Sequence, residues 1–143
     1  MDANPEVVEI ERKLKPLRKK YNELKMRHLE LTNLVGRITD MIEEKYNRDR
    51  LNFIREEIRR RVEAGEEVAD ADGRIKKLPK LPPELSQEAM KREIEEATAD
   101  LMAEARALEV EIRQIETQIK ELHDRLIETS NQIRAELGLP LIE

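Results

Sequence analysis

With 143 residues, 41% of them charged, and only one Phe, two Tyr and no Trp, the chain lacks the large side chains that fill a thick core. Burial must come from Leu, Ile and Ala along a narrow stripe between helices, and the absence of Cys excludes disulfides and thiolate metal sites. The net charge of −5 is split by sign, with 16 basic against 13 acidic residues over 1–64 and seven against 15 over 84–143.

The first element is a helix predicted over 5–64. Asn4 offers an N-cap oxygen to orphan backbone donors, and Pro5 suits the first helical position because it has no donor to waste. From Val7 the apolar residues Ile10, Leu14, Leu17, Tyr21, Leu24, His28, Leu31, Val35, Ile38 and Ile42 recur at alternating spacings of three and four, a heptad seam with only His28 not clearly apolar. Pro16 lies on the outer face and predicts a bend, or a short separate helix ending near Leu14. After Ile42 the phase is lost, and Leu51, Ile54, Ile58 and Val62 resume it out of register, which predicts a stutter or interruption at 45–50.

The connector, 65–85, holds two of the four Gly and three of the six Pro, and is not helical. Asp70-Ala71-Asp72-Gly73 supplies turn chemistry, and a small β-hairpin pairing Val68 with Ile75, Glu67 with Lys76 and Glu66 with Lys77 is expected. An isolated hairpin is marginal in water, so this one is expected to dock on something. Leu78 to Pro83 then runs extended, because each residue before a proline is pushed out of the helical region.

Ser86 is the N-cap of a second helix over 86–137, with Leu85 and Met90 placed as a hydrophobic staple. Its seam is Ile94, Leu101, Ala105, Leu108, Ile112, Ile115, Ile119, Leu122, Leu126, Thr129 and Ile133, spaced by threes and fours after a first interval of seven. Gly138 ends it, and an apolar tail occupies 138–143.

A basic helix beside an acidic one is attracted to it, whereas two acidic segments side by side repel. The fold class is therefore all-α: an elongated antiparallel two-helix coiled-coil hairpin forming one domain over 1–143, with a parallel homodimer through the first helix as the rival. Symmetric folding about the connector places Leu31 near Ile119, His28 level with His123, and both termini at one end.

The candidate sites follow from this frame. The connector presents Val68, Ile75, Leu78 and Leu81, and the terminal tip Leu139, Leu141 and Ile142, as apolar partner-binding groups. Arg12, Lys13, Arg18, Lys19 and Lys20 form a basic run able to contact phosphates. Glu121, Asp124, Glu128 and Glu136 are expected alongside it, and base-stacking aromatics are nearly absent, so nucleic acid is disfavoured. Asp70 to Ile75 resembles the middle of an EF-hand loop, but alignment on Gly73 puts Val68 and Pro79 at the two end ligand positions, so no metal site is expected. His28 and His123 alone make a poor metal site, and His28 is expected to act on helix register or pH response.

No nucleophile with a nearby base, phosphate loop or ligand cluster is present, so neither enzyme activity nor a cofactor is expected. Two long helices joined by a short hairpin, with apolar residues where the termini meet, resemble the smaller type of prefoldin subunit, which implies a chaperone gripping clients at that tip. The strands expected here are short and charged, unlike the apolar strands with which prefoldin subunits assemble. The reading from the residues is a non-enzymatic structural or adaptor protein that binds protein partners through connector and tip and is able to form homo-oligomers. A holdase chaperone and a nucleic-acid accessory protein are the alternatives. Met1 is followed by Asp2, Asn4 and Glu6 rather than a basic then apolar leader, and no run reaches the roughly 20 apolar residues of a membrane span. A cytoplasmic protein that does not enter membranes is expected.

Overall fold

A computed structural model describes residues 4–142. Two long helices, α1 (Pro5–Glu63) and α2 (Gln87–Glu136), pack against each other as an all-α hairpin, with a single 3-10 turn at Pro83–Leu85 before α2. Both caps form as their side-chain chemistry requires. The Asn4 Oδ1 accepts from the amides of Glu6 and Val7 at 2.8 and 3.3 Å, and the Ser86 hydroxyl accepts from the Ala89 amide at 3.1 Å. Both helices end on a glycine in the left-handed region. Gly65 (φ 83°) and Gly138 (φ 71°) each allow the two reverse bonds that satisfy the last carbonyls, Glu66 to Arg61 and Gly65 to Val62 in one case, Leu139 to Arg134 and Gly138 to Ala135 in the other. α1 continues through Pro16, so no separate N-terminal helix forms.

The chain forms two compact units, Met1–Thr32 with Met102–Glu143 and Asn33–Leu101. In the first unit the seam is as read: Ile10, Leu14 and Leu31 are fully buried, Ala105, Ile112, Ile115 and Thr129 are buried, and the other seam positions are half-buried. The register is not. The Tyr21 hydroxyl donates to Glu116 at 3.2 Å and His28 Nε2 lies 3.0 Å from Glu109 Oε1, so Ile119 is about a dozen residues, or roughly 18 Å, beyond the level of Leu31. His28 is level with Glu109 rather than His123, and the two histidines do not meet.

The second unit supplies the reason. The Arg50 guanidinium donates to the Leu85 carbonyl at 2.8 Å, so α2 begins beside the middle of this stretch of α1 and not beside its end. The chain leaves α1 at Glu63, turns, and comes back along the helix, with Arg61 donating to the Lys77 carbonyl at 2.9 Å on the way. The proline-rich run is thus a return path, and Pro79 is buried within it. A connector assumed to bridge symmetrically gives the wrong register.

In the same unit the seam survives the loss of phase. Spacing of four from Ile42 brings in Tyr46, which is 7% exposed, followed by half-buried Arg50, Phe53 and Glu57. Two consecutive fours are a stutter absorbed without breaking the helix. Of the residues expected to carry the resumed seam, Leu51 and Val62 are exposed, while Ile54 and Ile58 are half-buried. In α2 the seven-residue interval is filled by Thr98, which is buried with its hydroxyl donating to the Ile94 carbonyl at 2.7 Å.

Among the described residues no strand forms, and the connector holds one antiparallel bridge, Ala69 to Ile75. This differs by one residue from the expected pairing of Val68 with Ile75. The loop has three residues rather than two. Asp70 and Arg74 close it through the Asp70 amide and Arg74 carbonyl at 2.8 Å, and Gly73 (φ 80°) takes the left-handed position that such loops need. The Asp70 carboxylate favours this longer loop because its Oδ1 accepts from the amides of Asp72 and Arg74 at 2.9 and 3.0 Å.

Candidate interaction surfaces

In the connector, Val68 and Leu81 are half-buried, Ile75 is exposed, and Leu78 is 65% exposed. Leu78 follows Lys77, whose carbonyl is held by Arg61, so an apolar side chain is presented from a backbone tied to α1. Lys76 Nζ meets Glu67 at 3.1 Å across the turn, the one expected cross-strand charge pair that forms among the described residues. A shallow, mostly polar recess lies between this turn and the end of α1, lined by Arg61, Glu66, Glu67, Val68, Lys76 and Lys77.

Beneath the connector, Tyr46 organises a polar cluster. Lys45 Nζ and the Arg50 guanidinium carbon lie 5.6 and 5.7 Å from its ring centroid. Lys45 also reaches Glu93 Oε1 at 3.0 Å, and the hydrogen bond and charge of Glu93 hold the Lys45 ammonium above the usual lysine range. Glu93 Oε2 is buried without a partner. This cluster positions the start of α2. The aromatic at 46, displaced by one residue from the heptad, was the signal for it.

At the terminal end, Leu139, Leu141 and Ile142 are exposed, with Leu141 at 59%, but the segment is not loose. It reverses at Gly138 and lies back along α2. The Asn131 side chain makes a two-point clamp on residue 142: Oδ1 accepts from the Ile142 amide at 2.7 Å and Nδ2 donates to the Ile142 carbonyl at 3.1 Å. Arg134 donates to the Pro140 carbonyl at 3.1 Å. Leu141 forms one wall of a shallow open groove, whose other walls are Asp124, Ile127, Glu128, Asn131, Gln132 and Ala135. Asn131 belongs to no apolar pattern, so periodicity does not single it out.

The basic run lies on an exposed face of α1. Arg12 pairs with Glu9 on its own helix at 3.7 Å, and among the described residues no ion pair involves Lys13, Arg18, Lys19 or Lys20. Among the described residues no ion pair joins the run to Glu121, Asp124, Glu128 or Glu136, but Glu121 does lie beside it: with Lys13, Gln118 and Arg125 it flanks a groove floored by Pro16, Leu17 and Leu122. Among the described residues, the contacts that link the helices in this way are the ion pairs of Arg27 with Glu104 at 3.1 Å and Lys45 with Glu93, and the His28 ring nitrogen beside Glu109. All three run from basic α1 to acidic α2, as the charge split requires. His28 is half-buried against a carboxylate rather than enclosed among apolar groups.

The chain matches no known family, curated protein or solved structure. Among the described residues no helix is long and apolar enough to cross a membrane.

Proposed function

We propose that this chain is a non-enzymatic structural or adaptor protein that joins protein partners through its connector and its terminal segment. The observation that supports this is apolar exposure on a held backbone outside the helices. Apolar side chains such as Met41 and Val110 are also exposed along the helices, but Leu139, Leu141 and Ile142 cluster in one segment beyond α2 whose backbone is held by Asn131 and Arg134, and exposed Leu78 follows a carbonyl held by Arg61. An apolar side chain on a held backbone loses little further entropy when covered, which is the property of a binding surface.

Residues carrying a photo-activated crosslinker, placed singly at Leu78, at Leu141 and at the exposed control Arg113, test this in the cells that make the protein. The reading expects discrete adducts to other protein chains at Leu78 and Leu141 that Arg113 does not give. Equal, diffuse labelling at all three positions would remove it.

A further inference from the structure

Three features stand outside the seam: the exposed basic face of α1, the recess beside the connector turn, and the face of α2 that clamps residues 139–142. The third carries the most, because its ligand is already seated. Among the described residues, the side-chain hydrogen bonds to that segment all engage backbone atoms: Asn131 accepts from the Ile142 amide and donates to its carbonyl, and Arg134 donates to the Pro140 carbonyl. Such a clamp reads an extended chain and not its side chains. Leu141 and Ala135 then wall one shallow groove beside the clamp, so the seated segment completes that surface.

We infer that this face of α2 is a binding site for an extended apolar peptide, and that its occupant in trans is the Leu139-Pro140-Leu141-Ile142 segment of a second copy. The inference deepens the adaptor reading and rests on it for the role of the terminal end. A second copy offers the same contacts by construction, so the exchanged and self-seated states differ only in the hinge and in concentration. The hinge is short and sits at Gly138, whose left-handed backbone is needed only for the sharp reversal onto its own helix. Self-seating leaves Leu137, Leu139 and Leu141 at least half exposed, apolar surface that two exchanging copies bring together. Short tethers give effective concentrations in the millimolar range, so exchange competes when local protein concentration approaches about 1 mM, as within an assembly.

The chain has no cysteine, which permits a clean test on the purified protein. Ala135→Cys and Leu141→Cys, both lining the groove, are placed in one chain or in two separate chains and joined with a short bismaleimide. The double variant is expected to close within one chain. A mixture of the two single variants is expected to give a covalent heterodimer that rises with concentration between about 10 μM and 1 mM. Asn131→Ala should lower both yields several-fold, with Asn131→Asp, which keeps the acceptor and loses the donor, in between. Gly138→Ala should shift closure from within to between chains by up to about tenfold, because an alanine is strained in the left-handed reversal. A double variant that closes while the mixture at about 1 mM gives no heterodimer above the Asn131→Ala background overturns exchange. A double variant that does not close overturns the seat itself. Crosslinks from Leu141 to foreign chains in cells would still stand in either case, which separates this inference from the adaptor reading.

Discussion

The guanidinium of Arg50 holds the carbonyl of Leu85 at 2.8 Å, and this contact sets where α2 starts along its partner helix. Leu85 closes the 3-10 turn before the Ser86 cap, so its carbonyl has no helical partner of its own and Arg50 supplies one. Removing the guanidinium with Arg50→Met leaves that half-buried acceptor unpaired. The expected loss is about 2 kcal/mol in urea unfolding, and Arg50→Lys should restore only part of it, because a lysine lacks the fork that spans both the carbonyl and the Tyr46 ring.

Tyr46 should be the costliest aromatic to truncate. It is nearly fully buried and is flanked by Lys45 and Arg50, so Tyr46→Ala is expected to cost about 3 kcal/mol. Leu51→Ala, five residues on at an exposed position, should stay within about 0.5 kcal/mol. Equal losses at the two positions would mean that the seam after Ile42 follows the out-of-register leucine instead.

Alkaline pH gives a signature of the Lys45 to Glu93 pair. The folded state holds the Lys45 ammonium above its ordinary value of 10.5, so the pair's contribution is fully present below that pH and disappears as pH rises through the folded value. Thermal melts of the native chain should therefore fall more steeply above about pH 10.5 than those of Lys45→Gln. Parallel curves would deny the pair a role in the folded state.

The connector turn depends on one carboxylate. Asp70→Ala removes both acceptor bonds to the Asp72 and Arg74 amides, with an expected cost of about 1 kcal/mol that stays local. Hydrogen exchange at the Arg74 amide should accelerate while the amides of Ile112 and Ile115 keep their protection.

Much of this architecture is legible in the residues themselves. Seam positions from Val7 to Ile42 are all buried or half-buried because heptad spacing maps directly onto one helix face, and Asn4, Ser86, Gly65 and Gly138 announce the helix ends through local chemistry. What depends on distant geometry is not legible. The hairpin register requires knowing that Leu78 to Pro83 doubles back along α1, and no local propensity encodes a direction of travel. Thr98 and Tyr46 sit in the seam although one is polar and the other off the heptad, because each satisfies its polar atoms or π-face in place. The same limit applies to the candidate sites. Leu139, Leu141 and Ile142 are recognisable as an apolar group, but the clamp that holds them is Asn131 with Arg134, polar residues that belong to no apolar pattern.

The register within the first unit is the account's central claim, and spin-label distances test it most directly. Labels at Lys13 and His123 should lie close, because Tyr21 opposite Glu116 places His123 near the level of Leu14. Labels at Met26 and His123 should be longer by roughly 15 to 20 Å, at 1.5 Å per residue along the helix. Doubly labelled chains diluted into unlabelled protein should keep both distances. A shorter Met26 to His123 distance would contradict this register in favour of symmetric folding about the connector, and loss of both distances on dilution would contradict the intrachain hairpin.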